Sequence, residues 1–147
     1  MGTRYQGTAA ERRALDAYIK LRRAVNSIAR REAEVMRQAG LTESQFGALE
    51  ALLHLGPLCQ HELAGKILKS AGNLTTVIDN LERRGLVERH RDSSDRRLVT
   101  VHLTESGERM IRDVLPRNVE VLKTAFAVLG AREQEQLAEL CRKLGTQ

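Results

Sequence analysis

The sequence of 147 residues is poor in aromatic side chains and in cysteine, and it contains no tryptophan. Aromatic residues make up 3 % of the chain, so a core has to be built from Leu, Val, Ile and Ala. Such a core favours helices packed on helices over a β-sandwich. The two cysteines, Cys59 and Cys141, cannot by themselves form a disulfide framework or a four-ligand zinc site. We therefore expect a mainly helical fold with reduced thiols.

Long hydrophobic runs are also missing. No uninterrupted apolar stretch approaches the roughly 18 residues that are needed to cross a bilayer. The N-terminal residues MGTRYQGTAAERR lack the apolar segment of a secretion signal. We therefore expect a cytoplasmic protein with no membrane partner.

The positive charge of the chain is unevenly distributed. The formal net charge is +5, and the excess of Arg and Lys over Asp and Glu lies in residues 1–40 and 60–97. A basic balance of this kind favours polyanions as partners, although many ordinary proteins are mildly basic.

A long amphipathic helix is predicted over residues 10–39, which contain neither Pro nor Gly. At 1.5 Å per residue this helix is about 45 Å long, which is more than a small domain covers. We expect an obligate homodimer, in which this helix and residues 119–144 are covered by a second copy of the chain. The alternative is a solvated helix with one buried end. Apolar side chains recur along the helix at steps of three and four residues, at Tyr18, Leu21, Val25, Ile28 and Val35.

Several helix boundaries are marked by capping residues. Gly40 is expected to end the long helix, and Thr42 and Gln45 form a capping box that opens the next one. Thr104 is expected to cap another long helix, and Gly130 separates it from a last helix, whose apolar residues are Leu137, Leu140 and Leu144.

The middle of the chain has the pattern of two short helices followed by a β-hairpin. The helices are predicted over residues 60–68 and 71–84. The spacing of apolar residues then changes to two, which predicts strands over residues 86–89 and 98–103 with a polar loop at 90–97.

The two short helices fit a helix-turn-helix. Polar side chains are predicted to face outward from the second helix, where Asn73, Thr75 and Thr76 can hydrogen-bond base edges in a DNA major groove. Lys69 and Ser70 lie in the turn before this helix, where they and the backbone N–H groups at the helix start suit a phosphate. The alternative is a helix whose polar face is only solvated, because such patterns also arise by chance.

Arginines surround the predicted hairpin loop, at Arg89, Arg91, Arg96 and Arg97. An exposed arginine loop beside a DNA-reading helix can enter the minor groove, where the negative potential attracts Arg. We take Arg97, together with Arg96, as the minor-groove candidate. Asp95 is expected to orient Arg97 through a charge-assisted pair. A solvated charged turn is the alternative.

A specific motif extends from this loop into the following helix. The pattern D-x-R-x-x-x-V-x-L-T is followed three residues later by Gly107, and the stretch HELAGKI lies upstream. On these residues the chain resembles the MarR family, most closely over residues 63–107. The residues that fit the pattern are Asp95, Arg97, Val101, Leu103 and Thr104.

The resemblance implies a mainly α fold with a small β-wing, in a single domain that covers residues 1–147. A winged helix-turn-helix region at residues 42–104 would be flanked by dimerisation helices at 10–39 and 105–147. The family implies a homodimer that binds a palindromic operator in double-stranded DNA, usually as a repressor that a small phenolic or aromatic ligand or an oxidant releases. Thr76 stands where relatives often carry Arg, which leaves open the bases that are read.

Other kinds of site find less support in the sequence. Cys59 precedes a predicted helix, whose N-terminus makes a thiolate more reactive, so we consider it a candidate redox sensor; the alternative is a small packing residue. Cys141 is expected to pack in the dimer core. The spacing of His54, Cys59 and His61 fits no standard zinc pattern, and no catalytic or nucleotide-binding motif occurs. We expect no enzyme activity, no metal and no cofactor.

Two functions of other classes remain as alternatives. A winged-helix module used only for protein–protein contact would carry an acidic or apolar outer face on its second motif helix. The corresponding face of this sequence is polar and has basic neighbours. A small helical enzyme would need a converging set of catalytic residues, which the sequence does not offer.

Overall fold

The computed structural model describes residues 3–67 and 71–146, and it confirms the mainly helical fold with a small β-sheet. Lys69 and Ser70, which were predicted to bind DNA, lie outside the described residues. In chain order the elements are α1 (Ala9–Gln38), α2 (Glu43–Leu55), β1 (Leu58–Cys59), α3 (Gln60–Ile67), α4 (Ala71–Arg83), β2 (Val87–Arg91), β3 (Val99–Leu103), α5 (Glu105–Phe126) and α6 (Ala131–Gly145).

The chain divides into two compact units. The first, which we call the winged-helix unit, is Ala33–Val119. The second, the terminal-helix unit, consists of the described residues of Met1–Glu32 and Glu120–Gln147.

The winged-helix unit has its own hydrophobic core. Leu49 of α2, Leu63 of α3 and the residues Leu74, Ile78 and Leu81 of α4 have no exposed surface. Full burial of one such side chain contributes about 1.5–3 kcal/mol. The three buried residues of α4 recur at steps of four and three, so they fix which face of this helix is turned to solvent.

The glycines at two helix ends adopt the left-handed conformation that closes a helix. Gly40 and Gly85 have φ angles of 68° and 70°. Each is followed by a residue whose N–H reaches back five positions, from Leu41 to Met36 and from Leu86 to Leu81, both over 2.9 Å. These are Schellman caps, in which glycine avoids the steric cost of a positive φ.

The predicted helix starts are also confirmed. The N–H of Gln45 donates to Oγ1 of Thr42 over 3.1 Å, and Oε1 of Gln45 accepts from the N–H of Thr42 over 3.0 Å. Oγ1 of Thr104 accepts from the N–H of Gly107 over 3.0 Å. These three bonds satisfy N–H groups that the backbone hydrogen bonds of the helices leave without a partner.

The wing is part of a three-stranded antiparallel sheet rather than a hairpin of two strands. The strand order is β1-β3-β2, so the two residues of β1 form an edge that the sequence did not predict. Leu58 pairs with Val101 and Cys59 pairs with Thr100. In the hairpin itself, the strands begin one residue later than predicted, and β2 extends two residues further.

Gly107 marks a close approach of α5 to the connection between α4 and β2. A Cβ atom at this position would lie 1.9 Å from the carbonyl oxygen of Leu86. No side chain fits at that distance, so glycine is the residue that allows the contact. Oγ1 of Thr104 donates to the carbonyl oxygen of Gly85 over 2.6 Å and ties the start of α5 to the same connection.

The terminal-helix unit has no comparable core. None of its described residues is buried. Large apolar side chains of α1 and α6 are exposed instead, among them Tyr18, Val25, Leu140 and Leu144.

Within residues 3–67 and 71–146, no helix is long and apolar enough to cross a membrane.

Candidate nucleic-acid interface

The outward face of α4 carries three of the predicted DNA-binding residues. Asn73, Thr75 and Thr76 are exposed, while Leu74 and Ile78 on the opposite side are fully buried. Oγ1 of Thr75 accepts a hydrogen bond of 2.6 Å from Nε2 of Gln60, the first residue of α3. This bond joins the two helices of the motif at the surface.

Asp92 orders the first part of the wing loop. Oδ1 of Asp92 accepts from the N–H groups of Ser94 and Asp95 over 2.7 Å and 3.1 Å. The hydroxyl and N–H of Ser94 and the N–H of Asp95 lower the pKa of Asp92, because each stabilises the ionised carboxylate. The N–H of Asp92 donates to the carbonyl oxygen of Leu98 over 2.9 Å and closes the loop.

Arg97 lies at the tip of this loop, next to Asp95. Its side chain is 94 % exposed, and its Nε atom lies 3.5 Å from Oδ1 of Asp95. The same oxygen accepts from the backbone N–H of Arg97 over 2.9 Å. Arg96 is exposed as well. An exposed ion pair of this length holds the guanidinium only weakly, so Arg97 is available to a ligand.

Arg89 does not belong to the loop arginines with which the sequence grouped it. Its guanidinium donates to Oδ1 of Asp79 and to Oε2 of Glu82, both over 2.6 Å. Its backbone N–H also donates to Oε1 of Glu82 over 3.1 Å. Arg89 therefore faces α4, whereas Arg91 and Arg96 are exposed. The sequence missed this network, although carboxylates at positions i and i+3 of one helix share a face.

Cys59 is half-buried and directly precedes α3. Its N–H donates to Oε2 of Glu62 over 2.9 Å. This bond has the largest effect on the pKa of Glu62 and lowers it. A hydrogen bond from the Cys59 side chain lowers it further. Cys141 is exposed in the single chain.

Metal ligands are not clustered in the described part of the chain. Residues 3–67 and 71–146 hold no group of three or more His, Cys, Asp or Glu side chains that could bind a metal ion.

Comparisons with known proteins identify the family. The MarR family profile matches residues 41–99. YkoM, an uncharacterised HTH-type transcriptional regulator of Bacillus subtilis, is 33 % identical over 133 residues, which are 90 % of this chain and 86 % of YkoM.

Solved structures agree with this match. BpsR of Bordetella bronchiseptica, whose DNA binding is regulated by 6-hydroxynicotinic acid, superimposes with a TM-score of 0.79 at 26 % identity, over 86 % of this chain and 91 % of BpsR. Sco3205, a MarR family transcriptional regulator of Streptomyces coelicolor in complex with DNA, shares the fold with a TM-score of 0.84 at 24 % identity, over 95 % of this chain and 89 % of Sco3205. YkoM and Sco3205 are thus both described as transcriptional regulators. This chain belongs to the MarR family of winged-helix transcriptional regulators.

Proposed function

We propose that this regulator binds a palindromic operator as a homodimer and represses transcription, and that a small aromatic ligand or an oxidant releases it. The observation that carries the proposal is the exposed polar face of α4 in a unit whose wing ends in exposed arginines. A winged helix offers two surfaces to one DNA half-site. The face of α4 suits base edges in the major groove, and the wing suits the minor groove.

The role of α4 is to read bases. Asn73 is exposed early in the helix, and an Asn side chain can bond adenine at two positions in the major groove. Thr75 and Thr76 bring a hydroxyl and a methyl group, which suit base edges and the methyl group of thymine. Lys69 and Ser70 are assigned to phosphate contacts from the sequence alone.

The role of the wing is to enter the adjacent minor groove with Arg97. The turn around Asp92 supports this assignment, because a loop held by its own hydrogen bonds loses little entropy on binding. Arg96 is placed beside Arg97 for a phosphate or a second groove contact, and Asp95 holds the backbone of Arg97 by accepting from its N–H.

The dimer is assigned to the terminal-helix unit together with the remainder of α1 and α5. None of the described residues of the terminal-helix unit is buried within one chain, and a two-fold partner would cover its exposed apolar side chains. The two recognition helices of such a dimer would meet successive major grooves, about 34–36 Å apart on one face of the duplex.

An aromatic ligand is favoured over an oxidant as the releasing signal. BpsR supports the ligand by analogy, since its DNA binding responds to 6-hydroxynicotinic acid. Cys59 is only half-buried within one chain, and this partial burial limits the access of an oxidant to its thiol. A Cys59→Ser variant that releases DNA on peroxide treatment as the natural protein does would assign Cys59 to packing.

The experiment is a set of fluorescence-anisotropy titrations with DNA from upstream of the regulator's own gene and with a scrambled duplex, at several salt concentrations. Asn73→Ala is expected to cost about 1–3 kcal/mol on the operator and little on scrambled DNA. Arg97→Ala is expected to weaken binding to both and to reduce the salt slope by about one unit.

Arg142→Ala, in α6, serves as the matched arginine control and should bind like the natural protein. If the natural protein binds operator and scrambled DNA equally, the proposed sequence-specific function is wrong. If Arg97→Ala binds as tightly as the natural protein, the wing does not contact DNA.

A further inference from the structure

Two carboxylates stand on the DNA-facing helix α4, and one arginine of the wing binds both. Asp79 and Glu82 are three residues apart, so they share a face. Nη2 and Nη1 of Arg89 donate to them over 2.6 Å each, and the N–H of Arg89 adds a third bond to Glu82. Backbone and side chain of β2 are thus both attached to α4.

The pairing of β2 with β3 explains why the Arg89 side chain faces α4 rather than solvent. Arg89 pairs directly with Val101, and residues paired in this way project from the same face of a sheet. Val101 has no exposed surface, so that face is the inner one. The Arg89 side chain is accordingly only 23 % exposed. Burial acts to lower the pKa of Arg89, but the hydrogen bonds with Asp79 and Glu82 outweigh it and raise the pKa.

We propose that Arg89 is a positioning residue, which holds the wing at a fixed orientation to α4 without contacting DNA itself. The inference rests on the proposed function, in which α4 and the wing bind one half-site. Three hydrogen bonds to one helix, two of them charge-assisted on both sides, are stronger and more directional than the exposed pair of Arg97 with Asp95. We call the three hydrogen bonds of Arg89 to Asp79 and Glu82 the bracket. While the bracket is intact, docking of α4 on DNA places Arg97 at the minor groove at no further entropic cost.

Arg89 also offsets part of the negative charge of α4, with one positive charge against the two carboxylates. Asp79 and Glu82 are exposed on a helix that approaches phosphates, where uncompensated carboxylates repel DNA. A purely electrostatic role and a positioning role of Arg89 therefore predict opposite changes in operator affinity when both carboxylates are removed. A purely electrostatic role predicts tighter binding to every duplex, because the variant lacks two negative charges and its net charge is more positive by two. A positioning role predicts weaker binding to the operator and tighter binding to scrambled DNA.

The first arm of the test is the double variant Asp79→Ala with Glu82→Ala, titrated against operator and scrambled duplexes. The matched control is Glu105→Ala with Glu108→Ala, which removes two exposed carboxylates of α5 at the same spacing, each paired to an arginine. The control should tighten both duplexes by a similar factor, whereas the α4 variant should lose operator affinity. Circular dichroism and the melting temperature check that both variants fold.

The second arm measures coupling between the bracket and the wing tip. Arg97→Ala is introduced into the natural protein and into the Asp79→Ala, Glu82→Ala background. We expect its cost on the operator to be at least about threefold smaller in the second background, since residues of one network couple. Arg89→Lys should restore only part of the operator affinity that Arg89→Ala loses, because a lysine cannot bridge both carboxylates in the fork geometry of arginine.

The outcomes separate the two proposals. If Arg97→Ala costs nothing in the natural protein, the wing contact of the proposed function fails, and the bracket fails with it. If Arg97→Ala costs the same factor in both backgrounds, only the positioning role of Arg89 is overturned. Tighter binding of the α4 double variant to operator and scrambled DNA alike would also overturn it, and would leave partial compensation of the carboxylate charge as the role of Arg89.

Discussion

The two units of the chain differ in what covers their apolar side chains. In the winged-helix unit, Leu49, Leu74 and Val101 have no exposed surface. In the terminal-helix unit, none of the described residues is buried, and Val128 is 85 % exposed. Both units contain helices with clear apolar stripes, so periodicity by itself does not say whether the covering surface belongs to the same chain.

The difference assigns separate tasks to the units. A core closed within one chain can hold α4 and the wing in a fixed arrangement. Exposed apolar area costs about 25 cal/mol per Å² relative to burial, and contiguous exposed stripes are typical of surfaces that bind another chain. The terminal helices are therefore the part of the molecule for which a partner has to be sought.

The largest effect is expected from a cavity in the closed core. Leu49→Ala should lower the free energy of unfolding by about 2–5 kcal/mol, because the cavity adds to the lost burial. Leu55→Ala, six residues further along and 53 % exposed, is the matched control and should change it by less than about 0.5 kcal/mol. Urea denaturation monitored by circular dichroism measures both. Equal effects of the two substitutions would contradict a self-contained core.

A smaller effect distinguishes the units by pH, since all four histidines lie within Ala33–Val119. Burial lowers the pKa of His102, and the ring of His90, stacked on it at 3.9 Å, lowers it further. An unfolded chain takes up this proton below about pH 6.5, while folded His102 stays neutral to lower pH. The unfolded state then binds more protons, so stability falls as the pH decreases from about 6.5.

The measurement is the free energy of unfolding between pH 7.5 and 5.5, a range above the titration of ordinary carboxylates. The free energy of unfolding should decrease over the lower part of this range, where the unfolded chain takes up the proton and folded His102 does not. His102→Gln should flatten this dependence, because it removes the group whose pKa burial lowers. An unaltered slope in His102→Gln would assign the pH response to other groups.

The features that the sequence predicted well are those set by neighbouring residues. The glycine cap at Gly40, the capping box of Thr42 with Gln45 and the N-cap at Thr104 depend on positions within six residues of one another. Their hydrogen bonds are therefore readable from the local pattern. The D-x-R motif of the wing was visible for the same reason, since Asp95 binds the N–H of Arg97 two positions later.

The features that escaped prediction depend on contacts across the fold. The strand β1 has two residues, too few for any periodicity, and it exists because Leu58 meets Val101. Arg89 looks like one more loop arginine in the sequence, and only the pairing of β2 with β3 turns it toward Asp79 and Glu82. Strand register decides such orientations, because a shift of one residue reverses the face.

The central claim is that the terminal helices are completed by a second copy of the chain, and the molar mass in solution tests it most directly. Sedimentation equilibrium at micromolar concentration should give about 33 kDa, twice the 16.5 kDa of one chain. Leu140→Glu, which places a charge on an exposed apolar position of α6, should shift the mass towards one chain, while its control Gln136→Glu on the same helix should stay dimeric. A natural protein that sediments at 16.5 kDa would contradict the claim, and the palindromic operator would fall with it.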